Sequence, residues 1–446
     1  MRKLAICAAL AAAFAPGLAF ATDGYYADGY GLKAKGRAGS GTAMATDAFG
    51  GANNPAAMVF VGNRIDFGLD LFSPRRESER VGANPATGLN GQAESDSNYF
   101  LIPEFGYNKM INPNMSLGIT VYANGGMNTD YAGGQIANAS ACNAAFGGFN
   151  PAPGPYNLLC GNGSLGVDLM QLIFAPTFAY KFTPNHGFGI SPLIGYQRFK
   201  AEGLQAFGGF SSSAANLTNQ GYDSAWGYGA RIGWFGQLSD TVSAGAAYST
   251  KIYMSEFDKY KGLFAEQGDF DMPENYNVGI AFKATPKLTV LADYRRINYN
   301  DVPSVGNPSA RVLNCPAVGG TDSSACLGGS NGAGFGWQNV NVYKIGFDYQ
   351  YNGEITLRAG YSYNENPIGA QDVTFNILAP GVIENHVTLG FTWKTKSGGE
   401  LTMAYMHGFS NSVTGPSLFN SFGAPAGNET IKMYQNSIGI AYGWRM

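Results

Sequence analysis

The chain has 446 residues, and only 13% of them are charged, about half of the share found in soluble domains. The formal net charge of −3 gives no indication of nucleic-acid binding. Beyond residue 21 no apolar run is long enough for a membrane-spanning helix, which excludes helical membrane proteins. The 63 glycines, 26 tyrosines and 29 phenylalanines instead favour an outer-membrane β-barrel, in which apolar residues alternate with small or polar ones.

The N-terminus has the features of a cleaved secretory leader. Arg2 and Lys3 form a basic start, residues 4–18 are mostly apolar, and residues 19–21 form a small-x-small cleavage site. A retained anchor is the alternative, but the apolar stretch is short and ends at a good cleavage site. We therefore expect residues 1–21 to be removed and the mature chain to lie in the outer membrane of a Gram-negative cell.

Residues 31–58 read GLKAKGRAGSGTAMATDAFGGANNPAAM, a run that is rich in Gly and Ala and has no strand-like alternation. A compact segment of small residues ahead of a barrel predicts a plug within it, and we assign residues 22–62 to this plug. Asn54, Pro55 and Ala56 either form its junction with the first strand or make a simple turn, since Pro fixes φ and Asn favours turns.

Alternation with a period of two predicts fourteen strands over residues 63–446. In the first strand, Ile65, Phe67 and Leu69 alternate with Arg64 and Asp66. Short turns and long loops alternate strictly along the chain, as expected when short turns face the periplasm and long loops face outward. A soluble β-sandwich does not predict this regularity. The predicted strands cover residues 63–72, 98–108, 114–123, 168–182, 187–200, 223–235, 241–251, 274–284, 287–299, 338–351, 354–364, 384–396, 400–410 and 431–446.

The third predicted strand runs into Asn124, Gly125 and Gly126. Neighbouring glycines readily support a bend or a bulge within a strand. The same residues could equally mark the end of the strand, and the sequence does not decide between the two interpretations.

The cysteines indicate disulfides within the loops. Cys7 leaves with the leader, and the remaining four residues allow three pairings. Each local pair falls within one predicted loop of an oxidising compartment, so Cys142–Cys160 and Cys315–Cys326 are favoured. Neither loop contains a histidine and the spacings do not suit a metal, so we expect no metal site and no cofactor.

Strand parity places a group of cationic side chains on the lumen face of the barrel. The inward direction is favoured because a charge on the lipid face would cost about 2–4 kcal/mol at the midplane. Such a cation could hold a substrate carboxylate. Alternatively it could pair with Asp293, Asp348 or a plug carboxylate such as Asp47. The candidate substrate-binding residues are Arg231, Lys251, Arg295, Lys344 and Arg358.

The predicted loop over residues 134–167 is unusually apolar for a surface segment. Two interpretations remain open, namely a groove that captures a hydrophobic ligand and a loop core that packs on itself. The apolar side chains are Ile136, Phe146, Phe149, Tyr156, Leu158 and Leu159.

Four sequence blocks, spread over the mature chain, resemble the FadL family of outer-membrane transporters for long-chain fatty acids and other hydrophobic compounds. They are residues 36–58, with Asn54, Pro55 and Ala56 at the family's NPA position, then APTFAYKF at 175–182, and residues 273–297 and 357–393. The resemblance implies a fourteen-stranded barrel closed by an N-terminal hatch. It also implies ligand capture by surface loops, transfer to a barrel pocket, hatch rearrangement and lateral release where the third strand kinks.

The expected function is therefore uptake of hydrophobic small molecules, with long-chain fatty acids as the substrate. Aromatic or aliphatic hydrocarbons are the alternative within the family, and a general porin or an adhesin is less well supported. An enzyme is not expected, because His186, His386 and His407 form no catalytic set. The expected partners are the hydrophobic ligand, outer-membrane lipid and lipopolysaccharide, and the barrel-assembly machinery, with a monomeric barrel and no nucleic acid.

Overall fold

The computed structural model is a closed antiparallel β-barrel, and it describes residues 23–137, 142, 154–396, 398–423 and 425–446. The predicted leader and the predicted loop residues Phe146 and Phe149 lie outside the described residues. The first and last strands pair along their whole length, from Arg64 opposite Arg445 to Val81 opposite Asn428, and this pairing closes the barrel.

Fourteen strands form the wall, which confirms the predicted fold class. Two further short strands, β2 and β9, pair only with the extended ends of β1 and β7. The strands are β1 (Arg64–Val81), β2 (Gly91–Glu94), β3 (Phe100–Asn112), β4 (Met115–Tyr131), β5 (Leu165–Thr183), β6 (His186–Glu202), β7 (Asp223–Gln237), β8 (Val242–Ser249), β9 (Tyr253–Met254), β10 (Asn275–Lys283), β11 (Leu288–Ile297), β12 (Val340–Gln350), β13 (Ile355–Asn364), β14 (Asn385–Lys394), β15 (Gly399–Pro416) and β16 (Asn428–Arg445).

The predicted strand bounds agree with these to within a few residues at most ends, but β1, β4 and β15 continue well beyond them. In β1 the additional residues read SPRRESERV and carry polar side chains on both faces. The alternation of apolar residues therefore stops before the strand does, because this end of β1 no longer faces lipid.

The helices are single turns or slightly longer, and none of those in the described ranges is long and apolar enough to cross a membrane. Two of them precede the first strand, and the others lie in the long connections. They span Leu32–Lys35, Pro55–Phe60, Gln205–Phe210, Ala214–Asn216, Asp258–Tyr260, Ala265–Gly268, Tyr299–Asp301, Pro303–Gly306, Ser309–Asn314, Pro316–Val318, Ser323–Ala325, Ala370–Asp372, Val373–Asn376 and Leu418–Phe422.

The outer surface of the wall carries a band of exposed large apolar side chains. Leu69, Leu117 and Leu389 are examples, and each alternates along its strand with inward-facing residues such as Asp70. A surface of this kind is stable against lipid and unfavourable in water. The band is therefore the lipid-facing surface of the barrel.

Residues 23–62, here called the N-terminal segment, lie against the lumen face of the wall on several sides. Wall glycines allow its backbone to approach closely. A Cβ atom at Gly245 would clash with the carbonyl group of Thr42, and one at Gly360 would clash with the backbone at Arg37. Part of the high glycine content of the chain therefore serves to seat this segment.

The long connections pack together into a loop layer over one end of the barrel. Ile136, Leu158 and Leu159 are buried in its apolar core, together with rings from several other connections. The disulfides Cys142–Cys160 and Cys315–Cys326 lie within single loops, which confirms the predicted pairing. The described apolar residues of the predicted 134–167 loop thus contribute to a core shared with the other loops.

Candidate functional site

The wall has a gap between β3 and β4. These strands pair from Asn112 opposite Met115 up to Phe105 opposite Val121. Over residues 100–104 and 122–131, all of which the structure describes, no ladder pairing joins β3 to β4, although each strand remains paired on its other side, β3 with β1 and β4 with β5. This unpaired stretch, here called the wall gap, interrupts an otherwise continuous hydrogen-bonded cylinder.

The strand β4 does not end at Asn124, Gly125 and Gly126. It continues to Tyr131, and its register against β5 shifts between Ala123 and Gly125, which is the mark of a β-bulge. The N-terminal segment pairs with this bulge from inside the barrel. The Ala27 amide donates to the Asn124 carbonyl oxygen at 3.0 Å, and the Gly126 amide donates to a carbonyl oxygen of the segment at 3.1 Å. The segment therefore lines the lumen side of the wall gap.

The outer end of the wall gap is bridged by the connection that precedes β3. The Asp96 amide donates to the Asp130 carbonyl oxygen at 2.8 Å, and the Asp130 amide donates to Ser95 Oγ at 3.0 Å. Arg76 of β1 adds bonds from its two terminal nitrogens to the carbonyl oxygens of Asn128 and Ser97. Hydrogen bonds therefore close the outer end of the wall gap.

Two apolar cavities lead from the loop layer to the wall gap. Both are narrow, with volumes of about 40 Å³ for the first and about 20 Å³ for the second. They adjoin where Phe335 of the first and Trp337 of the second lie with ring centroids 6.5 Å apart. The first is lined by Leu159, Val167, Phe199, Leu204, Phe207, Leu263, Phe264, Ser304, Leu327, Ala333, Gly334, Phe335, Phe375 and Leu378. The second is lined by Tyr25, Phe72, Pro74, Arg76, Gly126, Met127, Asn128, Trp337, Ala379, Pro380, Gly381 and Met433.

Two of the predicted lumen cations bind carboxylates of the N-terminal segment. Lys344 Nζ lies 3.0 Å from Asp28 Oδ1 and 3.3 Å from Asp23 Oδ2, and Arg295 Nη1 lies 3.5 Å from Asp23 Oδ2. Burial raises the pKa of Asp23 to about 6, although Lys344 opposes the shift. Burial is also the largest single effect on Asp28, but the charges of Lys344 and His386 and the hydrogen bonds from Lys344 and Ser362 together outweigh it and lower the pKa of that carboxyl. Asp47, the partner suggested by sequence, instead accepts a bond from a neighbouring amide.

The other two buried cations among the candidates are also bonded within the protein. Arg358 Nε lies 3.2 Å from Asp348 Oδ1, and Arg37 of the N-terminal segment approaches the same carboxylate at 3.2 Å. Arg231 donates to Ser249 Oγ at 2.6 Å and to Asn275 Oδ1 at 3.1 Å. The four inward-facing cations are therefore engaged with the wall or with the N-terminal segment.

Lys251 is not brought together with the other candidates. The strand β8 ends at Ser249, so strand parity does not fix the direction of this side chain, and Lys251 lies in the loop layer rather than on the lumen face. Its Nζ donates to the Asp301 carbonyl oxygen at 2.9 Å and lies 3.6 Å from Asp271 Oδ2.

Two wall carboxylates, Glu104 and Asp293, also hold the N-terminal segment, and the sequence had suggested only Asp293, as a partner for a cation. Glu104 accepts bonds from the successive amides of Gly31 and Leu32 at 3.0 and 3.1 Å. Asp293 Oδ2 accepts bonds from the amides of residues 41 and 42 at 3.0 and 2.9 Å. Each carboxylate thus satisfies two amides of a segment that has little secondary structure of its own.

Asn54 links the end of the N-terminal segment to the wall. Its Nδ2 donates to the carbonyl oxygens of Thr42 and Trp234 at 2.9 and 2.8 Å, and its Oδ1 accepts from the Ala56 amide at 3.1 Å. Pro55 and Ala56 begin the helical turn Pro55–Phe60, and this turn lies between Asn54 and β1. The tripeptide is therefore a helix start and a wall anchor.

The closed wall and its lipid-facing band define an outer-membrane transport barrel. Residues 157–418 match the family model described as outer membrane protein transport protein (OMPP1/FadL/TodX), and the chain belongs to this family. Family membership makes it a transport protein for hydrophobic compounds. A search of curated proteins returns no match.

Solved structures with the same fold cover nearly the whole chain. The toluene transporter TodX of Pseudomonas putida is 18% identical, with a TM-score of 0.65, and the match covers 95% of this chain and 100% of that one. The toluene transporter TbuX of Ralstonia pickettii is 18% identical, with a TM-score of 0.61, over 94% and 99% of the two chains. A FadL homologue of Pseudomonas aeruginosa is 14% identical, with a TM-score of 0.65, over 95% and 99%. These identities establish the fold alone.

Proposed function

We propose that the protein takes up long-chain fatty acids and releases them sideways through the wall gap. The observation that carries the proposal is the apolar second cavity, which reaches both the gap edge at Met127 and the N-terminal segment at Tyr25. Transfer of an apolar chain into such a lining gains about 25 cal/mol per Å² removed from water. Two adjoining cavities suit an extended chain better than a compact molecule.

The steps follow the order of these spaces. The ligand enters the loop layer, where Leu159 and Leu204 line the first cavity, and moves past Phe335 and Trp337 into the second. The N-terminal segment, acting as a hatch over residues 22–62, then shifts at Tyr25 and Ala27, which contact the bulge. The ligand leaves between β3 and β4 without crossing the polar interior below the hatch.

A second candidate function is uptake of neutral hydrocarbons. Arg295, Lys344 and Arg358 are bound to carboxylates of the protein, which removes them as ready partners for a substrate carboxylate. The first cavity carries a single hydroxyl side chain, Ser304, which donates to the Asp269 carbonyl oxygen. TodX and TbuX, which share the fold, are toluene transporters.

Deletion of Asn124 tests the lateral route. Removing the bulged residue brings β4 into regular register with β5, which allows its upper half to approach β3 and narrow the gap. We expect the variant to retain a folded barrel by gel mobility and to lose most uptake of labelled oleate by cells. A matched deletion of Ala86, which is exposed in the connection between β1 and β2, should leave uptake unchanged. Unchanged oleate uptake in a folded Asn124 deletion would refute lateral release.

Uptake assays in the same kind of cells distinguish the two candidate functions. Oleate and toluene uptake are measured side by side in cells that carry the full protein or none. Oleate uptake that depends on the protein supports the first candidate. Dependence of toluene uptake alone would establish the second candidate in its place.

A further inference from the structure

Arg76 is a buried cation without an acidic partner at the edge of the second cavity. The side chain lies on the inward face of β1 and is 5% exposed. Its terminal nitrogens donate to two carbonyl oxygens, and its Nε has no acceptor. Among the described residues, no carboxylate lies within ion-pair distance of it, so its charge is not neutralised by the chain.

The next inward arginine on the same strand shows the usual arrangement. Arg80 Nη2 lies 2.5 Å from Glu429 Oε1, and the pair is buried. A buried charge is expensive unless an opposite charge compensates it. Backbone carbonyls supply hydrogen bonds to Arg76 but no negative charge. The chain thus supplies Arg76 with hydrogen bonds but not with an opposite charge.

We propose that Arg76 binds the anionic head group of an amphiphile whose apolar chain occupies the adjoining cavities. The proposal rests on the proposed function and specifies its substrate class. The rest of the second cavity is largely apolar, with Phe72, Met127, Trp337 and Met433 in its lining. A ligand with one charged end and one apolar chain matches this distribution.

The donors of Arg76 suit an oxyanion. A guanidinium group carries five N–H donors in a planar fork, and the carbonyls of Ser97 and Asn128 accept from the two terminal nitrogens. The remaining donors include the unbonded Nε–H, so a carboxylate can bind without displacing both carbonyls. A neutral hydrocarbon would leave the charge of Arg76 uncompensated. Arg76 therefore selects anionic amphiphiles over neutral compounds of equal length.

The test compares dodecanoate with dodecanol on the purified full-length protein in a nonionic detergent, with dissociation constants from calorimetry above the carboxyl pKa. We expect the wild-type protein to bind dodecanoate about tenfold or more tightly than dodecanol, the value of one charged hydrogen bond. Arg76→Gln should abolish this preference by weakening dodecanoate binding, and unchanged heat-dependent gel mobility shows that the variant is folded. Arg76→Lys should retain part of the preference.

Arg75→Gln is the matched control, because Arg75 is the adjacent arginine, directed outward against Tyr99. It should leave both dissociation constants unchanged. The inference is overturned if Arg76→Gln keeps the preference, or if the wild-type protein binds the two ligands equally, in which case hydrophobic uptake still stands. If the wild-type protein binds neither ligand, the proposed function fails as well.

A further arm identifies the source of the anion. The measurement is repeated in nanodiscs of phosphatidylcholine with and without phosphatidylglycerol. An unchanged preference for dodecanoate supports a free amphiphile as the occupant. Loss of the preference when phosphatidylglycerol is present would assign the site to a bilayer headgroup and overturn the proposal.

Discussion

Asn54 joins two parts of the N-terminal segment to the wall through one side chain. Both amide hydrogens are used, one on Thr42 within the segment and one on Trp234 of β7, while the amide oxygen caps the helical turn at Ala56. An amide side chain supplies two donors and an acceptor in a single planar group. A hydroxyl or a carboxylate cannot make the same three bonds.

Replacing Asn54 by Ala should loosen the N-terminal segment. The variant leaves two buried carbonyl oxygens and one amide without their partners, at a cost of about 2–4 kcal/mol to the docked segment. Hydrogen exchange measured by mass spectrometry should therefore accelerate in peptides that cover residues 42–60. Asn300→Ala, at an exposed loop position, is the control. Equal protection in Asn54→Ala and wild type would contradict the anchoring role.

Lys344→Gln should release the start of the N-terminal segment. The substitution leaves Asp23 and Asp28 buried without their shared cation, and breaking a buried ion pair costs about 3–5 kcal/mol. We expect faster hydrogen exchange over residues 23–31 in a barrel whose gel mobility is unchanged. Lys283→Gln removes an exposed lysine near a tight turn and should have no such effect. The ion-pair account fails if the two variants behave alike.

Strand parity predicted the inward direction of Arg231, Arg295, Lys344 and Arg358, because direction depends only on a local period of two. Their partners could not be predicted in the same way. Asp23 lies in an aperiodic segment more than 250 residues from the cations that bind it, and such a contact leaves no local pattern. Arg76 was missed because the apolar alternation of β1 ends before the strand does.

At the scale of elements, the loop that contains Cys315 and Cys326 is part of the cavity wall. Leu327, Ala333 and Phe335 follow the disulfide and line the first cavity. The disulfide lowers the conformational entropy of the unfolded loop. In the chain-entropy model this stabilises the folded loop by about 3 kcal/mol for a loop of this length. The shape of the cavity therefore depends on this covalent link.

A double Cys315→Ser and Cys326→Ser variant should bind dodecanol more weakly and keep its barrel. The loop becomes easier to open by up to about 3 kcal/mol, so part of the cavity lining is lost in a fraction of molecules. Calorimetry measures the binding, and the temperature at which gel mobility changes measures the barrel. A lower temperature of the gel-mobility change together with unchanged dodecanol binding would contradict this expectation.

The sequence predicted which wall strands exist, but it did not predict that the pairing of β3 with β4 stops part of the way along. Apolar alternation identified all fourteen wall strands, because lipid on one side and the lumen on the other impose it on every strand. The wall gap depends on whether β3 and β4 keep a common register beyond Phe105 and Val121. Register is a relation between two strands, and the Asn-Gly-Gly sequence, where β4 forms a bulge against β5, allowed two interpretations.

At the scale of the whole molecule, the closure of the wall and the docking of the N-terminal segment depend on different contacts. The pairing of β1 with β16 extends over the 18 residues of β1 and does not involve the N-terminal segment. The pairing that closes the wall therefore does not require the N-terminal segment. The inward charges that bind this segment would be exposed to water in its absence, where they are stable.

Deletion of residues 23–62 from the mature chain should give a folded, open barrel. We expect the variant to show the same heat-dependent gel mobility as the intact protein, because the closing pair of strands is retained. In planar bilayers it should conduct ions continuously, whereas the intact protein should conduct little. If conductance is the same in both, the N-terminal segment does not obstruct the lumen.

The contacts of the N-terminal segment also constrain the order of folding. Its anchors lie on distant parts of the ring, at Asp66 of β1, Trp234 of β7, Asp293 of β11 and Thr388 of β14. These groups reach their final positions only when β16 has met β1, so the segment cannot dock completely on an open sheet. Complete docking of residues 23–62 is therefore a consequence of barrel closure, and it can serve as a marker that the barrel has closed.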